Sequence, residues 1–211
     1  CQPDDELAIY LHIPFCAKHC HYCGCNTVIS REKSATGQYL DRVEKELEMV
    51  TSLIGTDRRV VQLHWGGGTP NYLNEQEVER TLNLFRSAFT IAEDAEVSLE
   101  IDPRIASPKQ AMHLHQVGFN RISLGIQDFD PLVQKSVNRV QPYNEVAPLV
   151  DCIRSHDFRS LSFDLIYGLP HQDRYTMDET LRKVIALRPD RIACYNYAHL
   201  PERFSSQRAI D

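Results

Sequence analysis

"IYLHIPFCAKHCHYCGCN", residues 9–26, joins two kinds of sequence. Its first half, with the preceding Ala8, is an apolar run to Phe15, rich in Ile, Leu and Tyr as a strand buried between layers should be. Its second half places four of the chain's seven cysteines within ten positions. The same order, an apolar run and then residues with chemistry to offer, returns along the chain. Further strand candidates cover residues 60–65, 95–101, 121–126, 162–166 and 191–197. Helical patterns lie between them. Leu40, Val43, Leu47 and Val50 share one helical face, and Val78, Leu82, Phe85 and Phe89 form a second stripe behind a capping-box pair, Asn74 and Glu77. Ser107-Pro108 and Asp130-Pro131 each set a cap residue before a proline at the first helical position. Gly118 is placed to close the helix that Ser107 opens.

Strands alternating with helices imply a parallel sheet, because parallel neighbours need crossovers. Six units at ~35 residues each have barrel-like spacing but fall two short of a full barrel. The choice lies between a doubly wound sheet and an incomplete barrel. Cys16, Gly66-Gly67-Gly68, Glu100-Ile101-Asp102, Gln127, Gly168-Leu169 and Ala198-His199 all follow directly on strands. Functional residues of α/β barrels gather at that rim. The expected fold is therefore α/β, a partial (three-quarter) TIM-like (β/α)6 barrel with parallel strands, open on one side.

Composition narrows the function classes. With 211 residues the chain can bury one substantial core, and 42% hydrophobic and 25% charged residues are ordinary for a soluble protein. A formal charge of −6 argues against nucleic-acid binding as the main task, and no apolar run approaches the ~18 residues of a membrane span. The acidic start, CQPDDELAIY, lacks the pattern of a secretory signal. An odd cysteine count, with Cys1, Cys152 and Cys194 scattered, speaks against a disulfide framework and for a reducing, cytoplasmic setting. A start at Cys1 and a stop after SSQRAID suggest part of a longer protein, with residues 1–211 forming one core domain.

Cys16-x3-Cys20-x2-Cys23 offers three thiolates on a loop after the first strand. A structural zinc site wants four ligands, and His12, His19 or His21 would have to complete it. A redox pair from Cys20 and Cys23 would leave Cys16 and Cys25 unexplained. Three thiolates also suit a [4Fe–4S] cluster whose fourth iron is open to a ligand that is not protein; ferredoxin clusters take four cysteines at other spacings. The C-x3-C-x2-C spacing resembles the signature of the radical S-adenosylmethionine (radical SAM) enzymes. That resemblance implies a cofactor whose amino and carboxylate groups chelate the open iron. One electron from the cluster then cleaves the S–C5′ bond to give a 5′-deoxyadenosyl radical. The protein is left to position, to supply the electron and to exclude side reactions.

Other rim residues acquire expected roles from the same resemblance. Within HWGGGTP, residues 64–70, Gly67, Gly68 and Thr69 would bind the methionine amino group through backbone that glycine lets approach closely. Glu100 would accept from the same ammonium. Gln127 and Asp164 would take the ribose hydroxyls, and Arg139 the carboxylate through its planar fork. Tyr10 and Tyr22 flank the cysteines and would pack against cluster or adenine, while Ile166 and Ala198 would wall the adenine.

YLHIPFC, CGCN, QLHWGGGTP, GFNRISLGIQDF, DLIYGLP and YNYAHLP together resemble the oxygen-independent coproporphyrinogen III oxidases. The resemblance implies oxidative decarboxylation of two propionates of coproporphyrinogen III to vinyl groups, giving protoporphyrinogen IX in haem synthesis. It also implies a second S-adenosylmethionine beside the first, and reduced flavodoxin or ferredoxin as electron donor. Haem chaperones share the barrel and the three cysteines but usually lack Cys-x-Cys, so a chaperone that binds and delivers haem is the alternative. Cys25 and YNYAHLP favour the oxidase, and Cys25 is then a contact to cofactor or substrate. Members of that family continue past the sixth strand into a C-terminal domain that closes over the porphyrinogen. The expectation is a chain that holds a cluster and turns over poorly by itself.

Overall fold

The computed structural model describes residues 5–30, 32 and 34–210, so Cys1 lies outside the described residues. Six strands form one parallel sheet: β1 (Leu7–Ile13), β4 (Arg59–Gly67), β5 (Thr90–Ile101), β6 (Arg121–Gln127), β7 (Ser160–Tyr167) and β8 (Arg191–Asn196). Their spatial order, β1-β4-β5-β6-β7-β8, is their order in the chain, and every pairing is parallel. A doubly wound sheet reverses direction at a switch point; a barrel does not. The order therefore settles the architecture as an incomplete barrel, with β1 and β8 at its two edges.

One correction concerns the first strand. Residues 8–15 form not one strand but β1 and a two-residue strand β2 (Phe15–Cys16), which pairs with β3 (Val28–Ile29). Pro14 lies at the break, where its missing N–H ends the ladder, while its carbonyl accepts from Val28 N at 2.8 Å. Cys16 is thereby carried off the main sheet. The helices are α1 (Ser34–Ile54), α2 (Glu75–Ala88), α3 (Pro108–Gln116), α4 (Pro131–Ser136), α5 (Tyr143–Ser155) and α6 (Arg174–Leu187). Their ends follow the sequence signals. Asn74 and Glu77 make a reciprocal capping box, Ser107 accepts from Gln110 N, and Asp130 accepts from Leu132 N and Val133 N. Gly118, at φ +108, ends α3 in a Schellman turn, with Gly118 N bonding His115 O and Phe119 N bonding Leu114 O.

Alternation divides the sheet into two faces. Leu63, Trp65, Leu99, Leu124, Phe163 and Leu165 are fully buried with Leu82, Phe85 and Leu114 of the helices in one apolar cluster. Burial of this layer is the main driving force for the fold, at about 25 cal/mol per Å2 of apolar surface. The opposite face carries Gln62, His64, Glu96, Ser98, Glu100, Arg121, Ser123, Ser162 and Asp164. A closed barrel fills its interior with branched apolar residues. Here the interior is polar and internally paired: Arg121 with Glu96, His64 Nδ1 with Ser98 Oγ at 2.7 Å, and Ser123 Oγ donating to Asp164 at 3.0 Å. Such a face is built to stay wet or to hold a polar ligand.

Candidate functional site

A cavity of about 340 Å3 opens at the C-terminal ends of these strands. That volume lies within the usual range for small-molecule sites. Cys16 lines it from the end of β2, Cys20, Tyr22, Cys23 and Cys25 from the loop that follows, Gly67, Gly68 and Thr69 from the end of β4, and Glu100 from β5. Gln127, Arg139, Asp164 and Ile166 complete the residues expected there. Two of the expected residues sit at the margin. Tyr10 is half exposed on the inward face of β1, stacked on His64 with 5.9 Å between ring centroids. Its hydroxyl pKa is raised by burial and then by the charges of the cavity-lining Glu100 and Cys25. Ala198 lies beyond the end of β8 and contributes its carbonyl to Gln207 Nε2 at 3.0 Å; Tyr195 lines the cavity on that side instead.

Long-range hydrogen bonds fix the cysteine loop. His21 N donates to Val137 O at 2.9 Å, Asn138 Nδ2 to His19 O at 2.8 Å, and Ser30 N to Cys16 O at 3.1 Å. Two of the three candidate zinc-completing histidines are engaged elsewhere, while His19 lines the cavity. His12 bonds Tyr10 Oη and Asn26 O, and His21 Nδ1 faces Ser136 O. Among the described residues no three His, Cys, Asp or Glu side chains converge as a single metal ion requires. Zinc draws thiolate ligands to about 2.3 Å of one point. A four-iron cluster is itself several atoms across and takes ligands from a wider ring.

Each of the three sulfurs has its own donor. Thr69 Oγ1 is 3.3 Å from Cys16 Sγ, and Cys25 N donates to Cys23 Sγ at 3.4 Å. Cys20 Sγ receives two guanidinium groups, Arg104 Nη2 at 3.3 Å and Arg139 Nη1 at 3.4 Å. Charge separates the two neighbouring thiols. The Cys25 side chain donating to Cys23, helped by the Cys25 amide and Arg139 against the effect of burial, brings the Cys23 thiol down to about 6. The same hydrogen bond, then burial, pushes Cys25 up, so Cys25 keeps its proton. Burial raises Cys16 as well, with Thr69 opposing. Burial also raises Asp102, but Arg139 and the hydrogen bonds from Arg104 outweigh it and hold the carboxyl below its usual range.

The glycines are positional. At Gly68 a Cβ would stand 2.5 Å from Pro14 O and 3.0 Å from Cys16 Sγ; Gly67, at φ +116, would press on the His12 ring. Gly67 N donates to Glu100 Oε2 at 3.3 Å. At the end of β6 the register with β7 shifts between Gly125 and Gln127, and Gln127 takes φ +64. This bulge turns the Gln127 side chain into the cavity. Sequence reasoning missed Arg104 and the part played by Asp102 and Gly125. Two signals were present: an arginine two positions past the rim in Ile101-Asp102-Pro103-Arg104, and a glycine inside a strand, which marks close approach.

Comparison with known proteins agrees with this geometry. The family model described as the radical SAM superfamily matches residues 10–184. The chain belongs to the radical SAM superfamily. Oxygen-independent coproporphyrinogen III oxidases are among its relatives. That of a Synechocystis species is 51% identical over 195 residues, covering 92% of this chain and 42% of the relative. That of Salmonella typhimurium is 46% identical, covering 99% and 45%. The solved coproporphyrinogen III oxidase of Escherichia coli, a radical SAM enzyme, superposes with a TM-score of 0.96 at 44% identity, over 100% of this chain and 48% of that one. A radical SAM methyltransferase of Kitasatospora setae superposes at 0.64 with 14% identity, a likeness of fold alone. The chain spans less than half the length of the oxidases it matches.

Radical SAM enzymes use a [4Fe–4S] cluster and S-adenosylmethionine, and this cavity fits them. Three thiols line one end of it. The buried Arg139 keeps its Nε without a partner, an orphan donor that a carboxylate would satisfy. The glycine edge at Gly67 and Gly68 leaves backbone where side chains would block a ligand.

Proposed function

We propose that this chain is the radical-generating core of an oxygen-independent coproporphyrinogen III oxidase, converting two propionates of coproporphyrinogen III to vinyl groups with release of CO2. The observation that carries the reading is the match to the Escherichia coli oxidase along all of this chain at 44% identity. When bound, cluster and S-adenosylmethionine supply the electron and the hydrogen-atom abstraction that the decarboxylation requires. Cys16, Cys20 and Cys23 would hold the cluster as thiolates. Gly67, Gly68, Thr69 and Glu100 bind the ammonium, and Arg139 Nε pairs with the carboxylate. Gln127 and Asp164 accept from and orient the ribose, and Ile166 walls the adenine. Tyr22 and Ile166 rest on Val133, Val137 and Leu169, an apolar floor that keeps water from below. Cys25 faces the cavity as a contact to cofactor or substrate. A second S-adenosylmethionine and a reduced flavodoxin or ferredoxin as donor belong to the same proposal.

Two experiments test it. The anaerobically reconstituted chain, reduced with dithionite, should cleave S-adenosylmethionine to 5′-deoxyadenosine and methionine. A chimera carrying this chain in place of the matching segment of the Escherichia coli oxidase should release CO2 from coproporphyrinogen III. A chimera that folds and assembles its cluster but binds haem without releasing CO2 would overturn the reading.

A further inference from the structure

Cys20 differs from the other two cysteines in what surrounds it. Thr69 and the Cys25 amide are neutral hydrogen-bond partners of Cys16 and Cys23. Cys20 Sγ meets two guanidinium groups, from Arg104 and Arg139. Among the described residues one carboxylate, Asp102, balances them: Arg104 Nη2 is 2.6 Å and Arg139 Nη2 3.5 Å from its oxygens. One positive charge is left over beside the sulfur. The three side chains are 9–12% exposed, so water screens them weakly.

Arg104 has no evident second task. Its Nε lies 3.0 Å from Asp102 Oδ1, its Nη1 donates to Asn138 O at 3.1 Å, and its Nη2 is shared between Asp102 and Cys20. Each nitrogen is engaged within the protein, whereas Arg139 keeps Nε for a ligand. Asn71 fixes the arrangement from behind, accepting from Asp102 N at 2.9 Å and donating to Asp102 O at 3.3 Å.

We infer that Arg104 is a positioning residue that acts through Cys20 to raise the reduction potential of the cluster. The inference rests on the cluster reading above. Adding one electron, from dithionite in the test, makes the cluster and its thiolates more negative. A cationic N–H aimed at a ligand sulfur stabilises that reduced form more than the oxidised one. Arg104 thereby eases delivery of the electron by a physiological one-electron donor.

The test is an anaerobic redox titration of the reconstituted chain without S-adenosylmethionine, followed by the electron paramagnetic resonance of the reduced cluster. Arg104→Gln should lower the midpoint so that the one-electron equilibrium falls roughly tenfold, about 59 mV. Arg104→Lys, which keeps the charge and loses the fork, should shift it by a smaller amount in the same direction and decides the matter should Arg104→Gln not fold. Arg182→Gln, on the exposed face of α6 with Asp178 and Glu179, should leave it unchanged. Unaltered potentials in the Arg104 variants, or an equal shift in Arg182→Gln, would overturn the inference. So would an Arg104→Lys chain that folds but takes up no iron, since Arg104 would then build the site rather than set its potential. Failure of the unsubstituted chain to form any cluster would instead overturn the reading beneath.

Discussion

The guanidinium of Arg139 lies over the α-carbon of Gly125, with Nη2 donating to the Gly125 carbonyl at 2.7 Å. A Cβ on Gly125 would stand 2.7 Å from that nitrogen and 3.0 Å from Gln127 Nε2. Two proposed cofactor contacts thus depend on one missing methyl group. Gly125→Ala should displace both side chains and weaken S-adenosylmethionine binding about tenfold, roughly 1.4 kcal/mol. Titration calorimetry under anaerobic conditions measures it. Affinity within twofold of the parent would show that neither side chain bears on the ligand.

Gly68→Ala strikes backbone rather than a flexible side chain, because Pro14 O and Cys16 Sγ occupy the space. Overpacking of this kind costs about 1–3 kcal/mol. The melting temperature should fall by several degrees, and iron uptake per chain should drop because Cys16 is pushed aside. An unchanged melting curve with full iron content would contradict the close approach.

Asp164 supplies a pH dependence. Burial, against the Ser123 hydrogen bond, lifts its carboxyl from 3.8 to about 6. A raised carboxyl favours the native state at low pH, and that advantage fades as pH rises from about 4 through 6. The ionised form accepts both ribose hydroxyls and does so more strongly than the neutral acid. Affinity for S-adenosylmethionine should therefore climb as pH passes through about 6 and level off above 7. Asp164→Asn should flatten that rise; a slope that persists in the variant would point to another group.

Asn71 is buried and satisfies both backbone groups of Asp102. Asn71→Ala leaves the Asp102 N–H unpaired away from water and its carbonyl with Ile105 N alone, at a cost of about 1–3 kcal/mol. Chemical denaturation should show that loss with an unchanged m-value. A neutral result would mean that water replaces the amide.

Much of this was legible in the sequence. Parallel order, helix caps and the cysteine spacing are local signals, and Asn74, Ser107, Asp130 and Gly118 act where their chemistry suggests. What was hidden depends on distance through space. Arg104 reads as an ordinary rim arginine until the fold brings it to Cys20, 84 positions away. The split of the first strand hinged on Pro14 and on a partner, Val28, that strand propensity does not name. Ala198 was expected to wall the cavity, but the strand ends at Asn196 and the chain beyond it turns toward Gln207.

The anchoring of the cysteine loop also bears on synthesis. The loop is complete only when His19 and His21 meet Asn138 and Ser136, 119 and 115 positions downstream. At about 5–20 residues per second, the thiols leave the ribosome on the order of ten seconds before their anchor exists. Through that interval the cysteines are a flexible, unpaired tract open to oxidation and to stray metal. The anchored form of the loop therefore exists only once the middle of the chain has been made and has folded against it.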